Sequence, residues 1–191
     1  MFCLKSLREK EIKQLYEERI KKDFHPLEVK PLDAILECLK ERKYECFSFF
    51  ADTKQIGYCF FVKKGNDYLI DYLAIYPFYR NQGYGSELLN EIRKYLQNAG
   101  NILLETEDPS YYEGDRKQRA QRRFCFYLRN GFIQTGIRVE CFQTHYLLLS
   151  MIQELSSEKA RDIYSSLYKS ILSDEMYSLN LHFEKPGQDV K

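Results

Sequence analysis

Residues 80–85 read RNQGYG and place two glycines, Gly83 and Gly85, two positions apart before a run with apolar residues at helical spacing. We predict that a helix begins directly after these glycines. The first backbone N–H groups of a helix lack intrahelical partners, and the helix dipole makes that end positive. Because glycine lets a ligand approach the backbone closely, the pattern is typical of a phosphate site. The alternative is an ordinary strand-to-helix turn in which the glycines relieve backbone strain.

Neither of the two familiar nucleotide-binding loops fits these residues. A dinucleotide-binding fold requires G-x-G-x-x-G, but Leu88 occupies the position of the third glycine. A Walker A loop requires a lysine after its last glycine, whereas Ser86 and Glu87 follow Gly85. A phosphate group would therefore be held by another type of loop.

Three stretches together resemble the GCN5-related N-acetyltransferase (GNAT) superfamily. Residues 80–85 resemble its R/Q-x-x-G-x-G/A signature, in which the amides of the loop hold the pyrophosphate of acetyl-coenzyme A. Residues 122–132, RRFCFYLRNGF, look like the helix of that family that ends in F-Y-x-x-x-G-F. Residues 103–107, LLETE, resemble the L-E-V strand of the ribosomal-protein alanine acetyltransferases. The resemblance covers about residues 44–150, with a looser match in the N-terminal helical part.

This resemblance implies an N-acetyltransferase that moves the acetyl group of acetyl-CoA to an amine by direct attack in a ternary complex. In the family, the amide arm of the coenzyme pairs with the exposed edge of the strand that precedes the loop. The residues that would bind the coenzyme are Leu73, Ile75, Arg80, Gln82, Gly83, Tyr84, Gly85 and Ser86. Transfer of a longer acyl group is one alternative. A non-catalytic CoA-binding sensor or scaffold that keeps the pyrophosphate loop is another.

Acetyl transfer needs a base, because an amine is mostly protonated near neutral pH. Glu105 in LLETE matches the glutamate that acts as base in the ribosomal-protein alanine acetyltransferases, and its apolar neighbours would make the carboxylate more basic. Asp71 is the second choice, since it shares strand parity with Leu73 and Ile75. The simpler interpretation of Asp71, which we favour, is a solvent-facing polar residue in an alternating strand. Water is the third alternative for the base.

The departing thiolate needs a proton, and a phenol is acidic enough to supply it. Tyr127 lies four residues before Gly131, as in the family pattern, and the resemblance implies that it is the acid. The alternative is a core position, because Tyr127 also belongs to an apolar helical stripe with Phe124 and Leu128.

The sequence departs from the family pattern at two places. Leu69 stands where histone-type members carry their acidic base. The segment between Glu107 and Gln118 is longer than the usual short link and lacks a frequent asparagine, so binding of the pantetheine arm by that asparagine is not implied. Residues 107–115 in this link are acidic and could attract a cationic acceptor, although a solvated loop is the simpler interpretation.

The elements that must position these residues follow from hydrophobic periodicity. Helical spacing predicts helices over residues 7–22, from Pro31, after Pro77, over residues 121–130 and from Ser156. Strand patterns are found at residues 44–51, 56–64, 68–76, 101–107, 133–138 and 140–150, and the first three predict an antiparallel meander. We therefore predict an α/β (α+β) fold with a mixed, mostly antiparallel central sheet of about six to seven strands flanked by helices. Residues 1–150 would form the GNAT-like domain, and residues 151–191 a helix and extension packed on it.

Composition limits the partners. The 29 Lys and Arg residues nearly balance the 28 Asp and Glu residues, so we expect neither nucleic acid nor a membrane surface as a partner. The six cysteines show no C-x-x-C spacing and the three histidines lie far apart, so we expect no metal. No stretch of ~18 apolar residues occurs, and we expect a soluble, cytoplasmic protein. The acceptor would be an amine-bearing small molecule or peptide, and exposed edge strands could mediate a homodimer.

Overall fold

The computed structural model describes residues 1–184, and the chain divides into two compact units, Met1–Gly100 and Asn101–Lys191. Each unit contains four strands, joined by antiparallel pairing within the unit, together with helices. The described residues thus have a mixed, mostly antiparallel α/β fold, which confirms the predicted fold class. The predicted number of strands was slightly too low, since eight are present in the described part. The predicted domain boundary after residue 150 stays a prediction.

The first unit is built on an antiparallel meander in the order β1-β2-β3-β4. Its strands are β1 (Phe2–Ser6), β2 (Tyr44–Ala51), β3 (Lys54–Lys64) and β4 (Asp67–Ile75). Aromatic and β-branched residues, which suit a pleated and half-buried surface, fill β2 to β4. Every residue from Ile56 to Val62 in β3 is buried, so this strand forms the core of the unit.

Helices of the first unit agree with the hydrophobic periodicity of the sequence. The N-terminal helical segment consists of α1 (Glu9–Leu15), a π-helical turn (Tyr16–Ile20) and α2 (Lys21–Asp23). Its predicted apolar face, formed by Ile12, Leu15, Tyr16 and Ile20, is buried. Helix α3 (Leu32–Lys40) follows Pro31, and α4 (Tyr84–Tyr95) follows the glycine loop. The helix predicted at the phosphate-type loop is therefore confirmed.

The second unit has the strand order β5-β7-β6-β8. Its strands are β5 (Asn101–Glu107), β6 (Ile133–Cys141), β7 (Thr144–Ser150) and β8 (Leu181–Phe183). Its helices are α5 (Gly114–Arg129), α6 (Ser157–Ile171) and α7 (Asp174–Asn180). Helix α6 buries five residues, Ala160, Ile163, Tyr164, Leu167 and Tyr168. The helix predicted after Ser156 is thus confirmed.

Several predicted boundaries in the second unit were wrong. Helix α5 begins at Gly114, and its polar first turns were mistaken for a loop. Strand β6 does not end before Val139 but continues to Cys141, and the chain reverses at Phe142 and Gln143. Both turn residues have positive φ, a conformation that Asn-Gly or Asp-Gly usually signals in a hairpin. Without that signal the sequence did not show where the hairpin turns.

Candidate active site

A β-bulge interrupts β4 shortly before the glycine loop. Phe60 in β3 pairs with Tyr72, whereas its neighbour Phe61 pairs with Ile70, so Asp71 has no partner in the ladder. A bulge bends the strand and increases its local twist. The end of β4 therefore changes direction just before the residues that we predicted to bind the coenzyme.

The last residues of β4 direct two amides away from β3. The N–H of Tyr76 donates to the carbonyl of Ile56 at 2.9 Å. Since N–H groups alternate in direction along a strand, the amides of Leu73 and Ile75 point to the opposite side. The outward carbonyl of Ile75 accepts a hydrogen bond from Nε of Arg80 at 2.8 Å. The strand end thus presents N–H donors in the direction that strand addition would use.

Asp71 does not face solvent, so the interpretation that we favoured for it was wrong. Its side chain is only 3% exposed, and Oδ1 pairs with Nζ of Lys30 at 2.5 Å. The extra residue of a bulge is set apart from the regular ladder, and here it carries a buried ion pair. Because this carboxylate is engaged with Lys30, Glu105 remains the first choice for the base.

Within residues 1–184, the loop between β4 and α4 leaves a row of amides without acceptors. Asn81 and Gly83 both have positive φ, at 61° and 85°, and Gly83 is the N-cap of α4. The N–H of Ser86 donates to the carbonyl of Gly83 at 3.0 Å. In contrast, the N–H groups of residues 82–85 donate to no acceptor within the described chain. Successive N–H groups in such a turn at a helix N-terminus form a concave site for an anion.

Two side chains fix the shape of this loop. The side-chain amide of Gln82 donates to the carbonyl of Phe78 at 2.9 Å. The guanidinium of Arg80 pairs with Oδ1 of Asp23 at 3.0 Å, in addition to its bond to Ile75. The amides of the loop are therefore held in place before any ligand binds. A phosphate contact from Arg80 stays a prediction.

Asp23, which the sequence did not single out, is the anchor of this arrangement. Its side chain is 5% exposed and accepts hydrogen bonds from Arg19 at 2.8 Å, Arg80 at 3.0 Å and the hydroxyl of Tyr58 at 3.1 Å. Burial, followed by the charge of Asp23, raises the pKa of Tyr58, which keeps this phenol protonated as a donor. Charge-assisted bonds of this kind are among the strong ones in proteins.

The candidate base, Glu105 in β5, is held by two tyrosines of α6. Its Oε1 accepts a hydrogen bond from the hydroxyl of Tyr168 at 2.8 Å and another from the hydroxyl of Tyr164. Both tyrosine side chains are fully buried. Burial and the charge of Glu105 raise the pKa of Tyr164, so this phenol stays protonated and donates. Hydrogen bonds to a carboxylate favour its ionised form, which is the form that can accept a proton, and they oppose the gain in basicity expected from its apolar neighbours.

The candidate acid, Tyr127, lies in α5 within an aromatic cluster. Its ring meets those of Phe126 and Phe132 edge to face, at centroid distances of 5.3 and 5.2 Å. Burial raises the pKa of Tyr127, and the nearby charge of Arg123 opposes this shift. The phenol therefore keeps its proton well into the alkaline range. Burial fits both the catalytic and the core interpretation, and the catalytic role stays a prediction.

The acidic stretch at residues 107–115 is solvated only in part, because Glu113 and Asp115 are exposed whereas its first two carboxylates are buried. Glu107 is buried and pairs with Arg116 at 3.0 Å and with Arg123 at 3.4 Å. Asp108 is buried as well, and it lies 3.1 Å from Nε of Arg138. These carboxylates are compensated by arginines of the same unit, so they give no support to an acidic surface that attracts a cationic acceptor.

No local sequence pattern marks Tyr164 and Tyr168 as partners of Glu105. Both belong to the apolar stripe of α6, where an aromatic residue is ordinarily a core residue. Their contact with Glu105 joins residues far apart in the chain, which periodicity does not predict. Asp23 was missed for the same reason.

Within residues 1–184, no group of three or more His, Cys, Asp or Glu side chains is arranged to hold a metal ion. None of the helices in this described part is both long enough and apolar enough to cross a membrane.

A strand that ends in outward amides, followed by a helix start whose loop N–H groups find no acceptor within the described residues, suits a coenzyme that carries a diphosphate. Comparison with protein-family models matches residues 12–113 to the acetyltransferase (GNAT) family. The chain belongs to this family, because the match covers more than half of its residues, and the resemblance seen in the sequence is confirmed. As a member, it is an acetyl-CoA-dependent acyltransferase.

Solved structures show the same fold. A GNAT-family protein from Bacteroides thetaiotaomicron is 24% identical, with a TM-score of 0.67 over 87% of this chain and 94% of the other. The ribosomal-protein-S18-alanine N-acetyltransferase of Escherichia coli is 15% identical, with a TM-score of 0.60 over 82% and 96%. Spermidine N-acetyltransferase of Vibrio cholerae, in complex with CoA and spermine, is 14% identical, with a TM-score of 0.59 over 84% and 98%. A comparison with curated proteins found no match.

Proposed function

We propose that the protein is an N-acetyltransferase that transfers the acetyl group of acetyl-CoA to an amine within a ternary complex. The observation that carries this proposal is the row of N–H groups at residues 82–85, which donate to no acceptor within the described chain. These donors lie at the N-terminus of α4, where the helix dipole adds a positive potential. A diphosphate matches such a row in charge and in its number of acceptor oxygens.

The coenzyme would extend from this loop to the end of β4. The amides of Gln82, Gly83, Tyr84 and Gly85 would hold the pyrophosphate, with the side chains of Arg80 and Ser86 beside it. Because the N–H of Ser86 is already bonded to Gly83, only its hydroxyl would take part. The outward amide of Leu73 would pair with the pantetheine arm, as in strand addition, and that of Ile75 would lie beside the thioester carbonyl of the same coenzyme.

The transfer would need one base and one acid. The amine nitrogen attacks the thioester carbon while the carboxylate of Glu105 takes a proton from the amine, directly or through water. The N–H of Ile75 donates to the oxyanion of the tetrahedral intermediate. The carbon–sulfur bond then breaks, and the hydroxyl of Tyr127 gives its proton to the thiolate. Support for Tyr127 comes from its position four residues before Gly131, which matches the family pattern.

The acceptor would be an amine-bearing small molecule or a peptide. The names of the related structures support this class, since one acts on spermidine and another on an alanine of a ribosomal protein. A homodimer and a cytoplasmic location stay predictions.

The test combines coenzyme binding with thiol release over a panel of amines. We expect acetyl-CoA to bind in calorimetry and at least one amine to trigger thiol release. Glu105→Gln and Tyr127→Phe preserve side-chain shape, and each should lower kcat by about 100-fold or more while coenzyme affinity is retained. Binding without thiol release for any amine, with acetyl or longer thioesters, would instead indicate a sensor or scaffold. Full turnover in both variants would overturn the assigned roles.

A further inference from the structure

Helix α6 presents two phenols to one carboxylate oxygen. Tyr164 and Tyr168 are four residues apart, so they lie on the same face of the helix. Their ring centroids are 4.9 Å apart, and both hydroxyls donate to Oε1 of Glu105. Each of these tyrosines is at most 2% exposed to solvent. Two buried donors that converge on one acceptor atom restrict both the position of the carboxylate and its orientation.

We propose that Tyr164 and Tyr168 are positioning residues that hold the carboxylate of Glu105 ionised and in one orientation for proton transfer. This inference rests on the proposed function, in which Glu105 is the base. It makes α6 a part of the catalytic apparatus, although α6 lies outside the segment, residues 12–113, that matches the family model. The phenols touch neither substrate nor coenzyme in this account, and they act through Glu105.

Other groups of the second unit, within the described residues, lie around these three side chains. Cys141 of β6 contacts Tyr164, and the ring of Phe183 packs against the same tyrosine at 5.8 Å. The guanidinium of Arg161 lies 4.8 Å above the ring of Phe183. Farther along β5, Glu107 pairs with the two α5 arginines described above. Removal of either phenol should change the ionisation of Glu105, because each phenol donates a hydrogen bond to Oε1 of that carboxylate.

The sign of the effect follows from the hydrogen bonds. Donors to a carboxylate stabilise its charged form, so the base stays competent at lower pH. Loss of one donor shifts the protonation of Glu105 to higher pH. A hydrogen bond to a charged group corresponds to a shift of about one pH unit or more. At high pH, where the carboxylate is ionised in any case, the rate changes little.

The experiment measures kcat against pH, at saturating acetyl-CoA and amine, for Tyr164→Phe, Tyr168→Phe and the double variant. Tyr177→Phe, in α7, is the matched control, because Tyr177 contacts Lys169 instead of Glu105. We expect the acidic limb of the pH–rate profile to move to higher pH by about one unit for each phenol removed. The rate on the plateau of the profile should fall by less than about tenfold. The control should reproduce the wild-type profile. Thermal melting and coenzyme binding verify that each variant is folded.

A second readout does not depend on turnover. The carboxyl carbon signal of Glu105 is followed by NMR against pH, and its midpoint should move up in both phenylalanine variants. Unchanged midpoints and an unchanged acidic limb would overturn the inference and show that the tyrosines only stabilise the fold. If Glu105→Gln keeps full activity while the midpoints move, the proposed function fails at Glu105, and the positioning role in catalysis fails with it.

Discussion

Replacement of Gly83 by alanine tests the loop geometry, and the chain contains a matched control. Gly83 has a φ of +85°, and a Cβ built there would meet no atom within 4 Å. Gly65, in the turn between β3 and β4, has a φ of +59° and equally open space. Alanine at either position is therefore strained by the backbone alone, and only Gly83 adjoins the unpaired amides.

The stability cost should be similar for the two variants. A left-handed conformation costs an L-residue about 1–2 kcal/mol. The lower entropy of the unfolded chain with alanine offsets about 0.4–1 kcal/mol of this. Each variant should therefore lose about 1 kcal/mol of the free energy of unfolding. For a chain of this size, that loss lowers Tm by about 2–4 °C.

Coenzyme affinity should separate the two variants. At Gly83, relief of the strain turns the peptide that carries the N–H of Tyr84, and a methyl group enters the space where the phosphates would approach. We expect Gly83→Ala to weaken acetyl-CoA binding at least tenfold, or about 1.4 kcal/mol, in calorimetry. Gly65→Ala should bind like the wild type. Equal stability losses with unchanged affinity in both variants would refute the reasoning about the loop.

Three further predictions concern stability. Gly136 has a φ of +75°, and Gly136→Ala places a Cβ 2.9 Å from Oγ of Ser157. Thermal melting should show that this variant loses about 2 kcal/mol of the free energy of unfolding, more than Gly65→Ala loses. Asp23→Asn removes the charge that holds Arg80, and denaturant titration should show a loss of about 2 kcal/mol together with weaker coenzyme binding; unchanged values would contradict the anchor role. Stability should also fall as pH rises above ~10, because unfolded tyrosines ionise there while burial raises the pKa of Tyr127 in the folded state. Part of the tyrosinate absorbance should therefore rise only together with unfolding, and a complete rise in the folded protein would contradict this.

Local sequence patterns predicted a helix or strand correctly where its buried residues recur with the period of that element. The apolar stripe of α1 and its continuation, the aromatic strands β2 to β4 and the glycine loop before α4 were all predicted from spacing. The same spacing located the helix after Ser156. These elements carry their own signal, because each buries one face against the core of its unit.

The remaining features depend on contacts that local patterns do not encode. Strands β1 and β8 are short and lie at the outer ends of their units' strand orders, so little burial marks them in the sequence. The bulge at Asp71 is a property of pairing with β3, and a pattern within β4 alone does not reveal it. The bonds from α6 to Glu105 join residues that only the fold brings together.

The central claim is that four consecutive backbone N–H groups at the start of α4 bind a diphosphate. It is tested most directly by amide NMR during titration with CoA and, separately, with pantetheine, which lacks the diphosphate. We predict that the signals of residues 82–85 shift strongly with CoA and little with pantetheine. Binding of CoA that leaves these four signals in place would contradict the account.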